Sequence, residues 1–189
     1  MTDEIEDEIA TPRDDPSGDG KSLIERIAVE LGRLNEAEAT GELAALRRMR
    51  RHDVPPAAFY RLMARTKAHE MNPDTVRRWA RAVAIIAQRP DALKAAGLGE
   101  TLKAIGFSEQ RLDMLLYSRG PALQDLALRT AVRIAKSGEK LPYRDLCHLV
   151  LYEADPKTDD ARIRVAQSYL RATDKSDDGK ATPSPPPVT

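Results

Sequence analysis

Apolar residues recur at three- and four-residue intervals along most of this chain, and polar residues fill the positions between them. Ser22 and Glu25 form a capping-box pattern ahead of Leu23, Ile27, Leu31 and Leu34. That pattern starts a helix and gives it one apolar face. Asn72-Pro73-Asp74 is a second start signal: a cap residue, a proline in the first turn, and an acid beside the dipole. The helix behind it carries Val76, Trp79, Val83 and Ile86 on one side. Ser108 is placed to cap a helix with Leu112, Leu115 and Leu116, and Gly120-Pro121 opens the next, which Gly138 ends as a C-terminal cap. Pro142 begins another helix. Asp155-Pro156 separates it from the last, whose apolar positions are Ile163, Ala166 and Leu170. No stretch alternates with period two in β-branched residues, and aromatics are few. The expected fold class is all-α.

Residues 88–99, QRPDALKAAGLG, break the helical periodicity. They divide the body into two small helical bundles in tandem, near 21–90 and 98–171. Residues 1–20 are rich in Asp, Glu, Pro and Gly, and residues 172–189 end in SPPPVT. Neither holds enough apolar surface to offset the entropy of ordering, so both are expected to be disordered tails. The leader has no apolar core of the kind a secretory signal needs. The longest strongly apolar run, residues 82–87, is far too short to span a bilayer. Cys147 is the only cysteine, so no internal disulfide forms, which fits a reducing cytoplasm.

The formal charge of zero hides a segregation. Residues 1–20 hold eight acids and one base, a net −7, while residues 21–171 hold 27 bases and 19 acids, a net +8. Ten bases and three acids fall within residues 44–81. A localised basic surface is the electrostatic footprint of nucleic-acid binding.

The densest cluster is in residues 41–63, GELAALRRMRRHDVPPAAFYRLM. At about 100° per residue, Arg47, Arg48 and Arg51 share one helical arc with Arg50 at its edge, and Leu46 falls largely opposite. Guanidinium pairs with phosphate oxygens through two parallel hydrogen bonds, which suits such an arc to a phosphate backbone. A solvated surface helix carries the same pattern. Arg77, Arg78 and Arg81 share a second arc, opposite much of the Trp79 face. Arg129, Arg133 and Lys136, at i, i+4 and i+7, form a stripe about 10 Å long, with Asp125 available as an ion-pair partner for Arg129. Arg61 and Arg111 complete the candidate set. Phe59, Tyr60 and Trp79 sit at core-like spacing and read as packing residues rather than base-stacking platforms. Binding should then address the phosphate backbone with little sequence preference.

Signals for catalysis are thin. His52-Asp53 lacks the further His and Asp ligands of a metal phosphohydrolase, and His69-Glu70 lacks the second histidine of a zinc helix. Cys147 and His148 are adjacent, so they diverge by about 100° on a helix and make no nucleophile–base pair. There is no phosphate-cradling glycine loop. No catalytic residue, metal or cofactor is expected.

LAALRR, the prolyl break and AFYRL, in that order, resemble the small subunit of the type I-E CRISPR Cascade, the CasB family. The likeness extends over residues 23–170, through a Gly-x-x-L turn at 99–105 and SEQRLDMLL at 108–116. Tyr143 and Tyr152 stand where members of that family often carry tryptophans. The resemblance implies two helical bundles and a non-catalytic subunit of a ribonucleoprotein for antiviral defence. It implies two copies lying head to tail, in contact with the backbone subunits and the large subunit. It also implies a role in holding crRNA-paired target DNA and the displaced strand, with sequence reading left to guide pairing. A helical DNA-binding regulator or adaptor is the other class. It would need a recognition helix offering Asn, Gln or Ser beside its arginines.

Overall fold

The computed structural model of the chain describes residues 22–49, 54–68 and 71–178, the last six by backbone alone. The acidic leader, the Pro-rich end, Arg50, Arg51, His52 and His69 lie outside the described residues.

Nine helices run through the described residues: α1 (Leu23–Glu36), α2 (Thr40–Arg47), α3 (Ala57–Arg65), α4 (Pro73–Ile86), α5 (Leu98–Ala104), α6 (Glu109–Tyr117), α7 (Gly120–Ser137), α8 (Tyr143–Leu151) and α9 (Pro156–Asp178). The fold is all-α. Two two-residue strands, β1 (Leu93–Lys94) and β2 (Leu141–Pro142), pair in parallel and tie the segment after α4 to the segment after α7. Two residues per strand is below what periodicity can reveal, so the sequence carries no sign of them.

Two of the start signals act as their chemistry predicts. Ser22 Oγ accepts from the Glu25 amide at 3.4 Å, and Glu25 Oε2 accepts from the Ser22 amide at 2.9 Å. Asn72 Oδ1 accepts from the Thr75 amide at 2.8 Å, with Pro73 in the first turn. Ser108 takes the N-cap position of α6 without a side-chain bond. Gly138 ends α7 at φ 85°, a left-handed conformation that costs glycine little.

α4 is the central helix. It packs against α7 and α8 and against α1 and α2. Every residue from Trp79 through Ile86 is buried, as expected of a helix enclosed on all sides. The buried apolar residues form one cluster that includes Ile27, Leu46, Phe59, Trp79, Leu123 and Leu146.

α5 crosses α9 at very short range, and Gly99 permits it. A Cβ on Gly99 would lie 2.3 Å from the Val165 carbonyl oxygen and 2.6 Å from the Tyr169 nitrogen.

Four expectations need correction. α2 stops at Arg47, with Arg48 as its C-cap, rather than running to Arg51. Turning the chain there brings Met49 into the core with Leu46. The buried stripe of α9 is Thr158, Arg162, Val165 and Tyr169, while Ile163 and Leu170 are exposed. The close approach of α5 selects the face that holds Val165 and Tyr169. α9 also continues to Asp178, into the segment expected to be a disordered tail. No glycine or proline interrupts it before Gly179. Finally, Tyr60 is not core. The residue is 48% exposed and its ring meets Phe59 edge-on at 5.4 Å, whereas Phe59 and Trp79 are buried as expected.

Candidate nucleic-acid interface

α6 and α7 pack side by side and leave a groove of about 260 Å³ between them. Its floor is apolar: Phe107, Met114, Leu115 and Leu126. Its rim is cationic, with Arg111 from α6 and Arg129 and Arg133 from α7. The i, i+4 spacing puts Arg129 and Arg133 on one side of α7, and the packing of the two helices brings Arg111 to face them.

None of these three guanidiniums has a carboxylate partner among the described residues. For Arg129 the reason is specific. Asp125, one turn earlier, is engaged by Arg81 of α4 at 3.2 Å. The buried guanidinium takes the carboxylate that the sequence would assign to Arg129.

Arg133 is held in place. Its guanidinium carbon lies 5.6 Å from the centroid of the Phe107 ring, and Nη2 donates to the Gly106 carbonyl at 3.4 Å. Phe107 is anchored in turn. Its amide donates to the Leu102 carbonyl at 2.9 Å, and its carbonyl accepts from the Tyr169 hydroxyl. Burial pushes the Tyr169 hydroxyl above its usual range, with Glu109 adding to the effect, so it remains a donor across the neutral range. The chain of contacts runs from α9 through Phe107 to Arg133.

The other candidates have separate fates. Arg47 is exposed, and its Nε donates to the carbonyl of Ala87, the C-cap of α4, at 2.6 Å. It closes the end of the central helix, where a cation is favoured by the dipole. Arg48 is exposed beside a small concavity with Met49, Val54 and Pro55. Arg61 lies 2.8 Å from Glu42, with Arg65 at 3.8 Å from the same residue. Arg77 pairs with Asp74 at 2.7 Å, Arg78 is half-buried, and Lys136 is exposed near the end of α7. Arg81 is a correction. It is 5% exposed and belongs to the core contact with Asp125, because α4 is enclosed on every side at that level. The expected second arc therefore does not form a surface. Arg50 and Arg51 lie outside the described residues.

The sequence reading missed the groove floor. Met114 is 52% exposed and sits one turn from Arg111, off the Leu112, Leu115 and Leu116 face. That displacement was the available signal. Phe107 precedes the helix and carries no periodicity of its own.

Among the described residues, no three His, Cys, Asp or Glu side chains come together as metal ligands. Cys147 is fully buried. Its burial raises the thiol pKa far out of the range of a nucleophile, and Sγ faces the Ala82 carbonyl at 3.8 Å. His148 points elsewhere, edge-on to Tyr152 at 5.1 Å. No helix among the described residues is long and apolar enough to cross a membrane.

Residues 42–170 match the family of the CRISPR-associated protein Cse2. The chain belongs to the Cse2 family. This is the small-subunit family of the type I-E Cascade, and the chain is accordingly a Cascade subunit. The matched span holds every residue of the α6–α7 groove. Comparison with the curated proteins and with the solved structures returns no match.

Proposed function

We propose that this Cse2-family chain is the non-catalytic subunit that holds nucleic acid within Cascade, in the cytoplasm, during antiviral defence. Arg48, Arg111, Arg129 and Arg133 provide the cationic contacts, and the α6–α7 groove is their centre. The observation that carries this reading is the set of three guanidiniums on one groove without carboxylate partners among the described residues. Arg61 and Arg77 are exposed too, but each already has an acid beside it, which lowers what it offers to phosphate. The partners in this reading are the crRNA-bearing backbone subunits, the large subunit and a second copy of the chain. The strands held are the crRNA-paired target and the displaced DNA. Contact is with the phosphate backbone, so sequence is left to guide pairing.

Counterion release makes such binding salt-dependent, with a log–log slope of about −0.7 per phosphate neutralised on a single strand. The test is Arg129→Ala/Arg133→Ala, titrated with single-stranded DNA between 50 and 200 mM salt, roughly the range over which the effect is large. The expected result is weaker binding to all sequences alike and a slope flatter by about 1.4, with melting unchanged. Wild-type affinity with a wild-type slope would remove this stripe from the path. Retained DNA binding with lost assembly into Cascade would make it a protein interface.

A further inference from the structure

The α6–α7 groove combines a cationic rim with an apolar floor, and phosphate alone does not require the floor. Met114 is 52% exposed at that floor, beside Phe107 and Leu126. The fitting occupant is a segment with several acids and a few branched apolar side chains. This chain carries one. Residues 3–9, Asp-Glu-Ile-Glu-Asp-Glu-Ile, hold five acids, and Ile5 and Ile9 stand four residues apart. The leader as a whole is net −7 against a body of net +8.

We propose that the acidic leader docks in the α6–α7 groove of its own chain. Its acids pair with Arg111, Arg129 and Arg133, and Ile5 and Ile9 cover Met114 and Leu126. The leader thus occupies the nucleic-acid groove of the free subunit and is displaced when a strand arrives. The docking stands on the groove and the leader chemistry. Its effect on DNA affinity rests on the function proposed above.

Reach permits it. Glu25 of α1 pairs with Arg144 at the start of α8, the helix that follows α7 after β2. The leader therefore joins the body beside the start of α8, a helix that packs against α7. From residue 9 to Ser22 the tether can extend about 45 Å at 3.3–3.6 Å per residue. A body of about 150 residues has a radius of gyration of only about 15 Å. A short flexible tether holds its segment at a local concentration of about 1 mM. A segment that binds with a dissociation constant of about 0.2 mM then weakens a competitor about sixfold.

The experiment uses the full chain labelled at methionine methyls, with the Met114 resonance assigned by Met114→Leu. It is compared with a chain lacking residues 1–20 and with a full-length variant carrying Asp3→Asn, Glu4→Gln, Glu6→Gln, Asp7→Asn and Glu8→Gln. The Met114 methyl should move on deletion, and the neutralised variant should follow the deleted chain. Both should bind single-stranded DNA about sixfold tighter than the full chain at low salt. An identical Met114 resonance in the full and deleted chains overturns the proposal. So does a difference that vanishes on dilution, which would place a second copy in the groove. A Met114 shift without any change in DNA affinity upholds the docking and removes the groove from the nucleic-acid path.

Discussion

Gly99→Ala is the sharpest test of how the fold supports the groove. The new methyl carbon would lie 2.1 Å from Ser168 Oγ, 2.3 Å from the Val165 oxygen and 2.6 Å from the Tyr169 nitrogen. The serine hydroxyl can rotate away, but the other two atoms are backbone of α9. Relieving them requires α5 and α9 to part by about 1 Å, against an ordinary carbon contact of about 3.5 Å. Those two helices share extensive packing, and Leu98, Leu102, Val165 and Tyr169 are all buried in the core. Overpacking of this kind costs about 1–3 kcal/mol. Alanine's better helix propensity returns at most about 1 kcal/mol, and less at the second residue of a helix. We expect a net loss of about 2 kcal/mol. At roughly 2–4 °C per kcal/mol for a chain of this size, melting falls by about 4–8 °C. Gly99→Ala/Ser168→Ala should melt no higher, since the backbone clashes persist. The damage should also reach the groove, because the Tyr169 hydroxyl bond to the Phe107 carbonyl spans α9 and the platform of Arg133. Faster exchange of the Phe107 amide would report it. A Gly99→Ala chain that melts at or above wild type would refute the reasoning, since that is how an unconstrained helical glycine behaves.

Three further outcomes are expected. Trp79→Ala should cost roughly 3–5 kcal/mol in urea unfolding, because the indole is 1% exposed in the central helix; unchanged stability with lost DNA binding would make it a stacking platform instead. Asp125→Asn should cost about 1–2 kcal/mol, a figure reduced because Asp125 is half exposed, without weakening DNA binding through Arg129; wild-type melting would show that Arg81 does not depend on it. Glu25 is held below the usual carboxylate range, chiefly by the Ser22 backbone amide and with help from Arg144, while burial acts the other way. A lowered native pKa contributes stability that is present above the unfolded value, about 4.3, and is lost as pH falls through the native value. Glu25→Gln should therefore flatten the loss of stability on acidification below about pH 4.3, and an unaltered acid limb would argue against it.

The sequence alone determined the helical class, the places where most helices begin, and much of the buried set. Ser22, Asn72 and Gly138 act locally, through caps and turns that need only neighbouring residues, so their meaning is readable in order. Leu43, Leu46, Val83 and Leu115 follow from periodicity for the same reason. The candidate cations were also legible as a list. What decided their roles was which helix lies against which. Arg81 is indistinguishable in sequence from Arg77, yet α4 is enclosed at the level of one and open at the level of the other. Asp125 would serve Arg129 by spacing, but a residue 44 positions away claims it. The stripe of α9 was misread because Gly99, on another helix, chooses which side of α9 is covered. The groove itself exists only where α6 and α7 meet, with Phe107 placed beneath Arg133 by a hydroxyl from Tyr169. Local signals are carried by bonds that span four residues or fewer, whereas a surface and its charge balance are set by contacts between segments far apart in the chain.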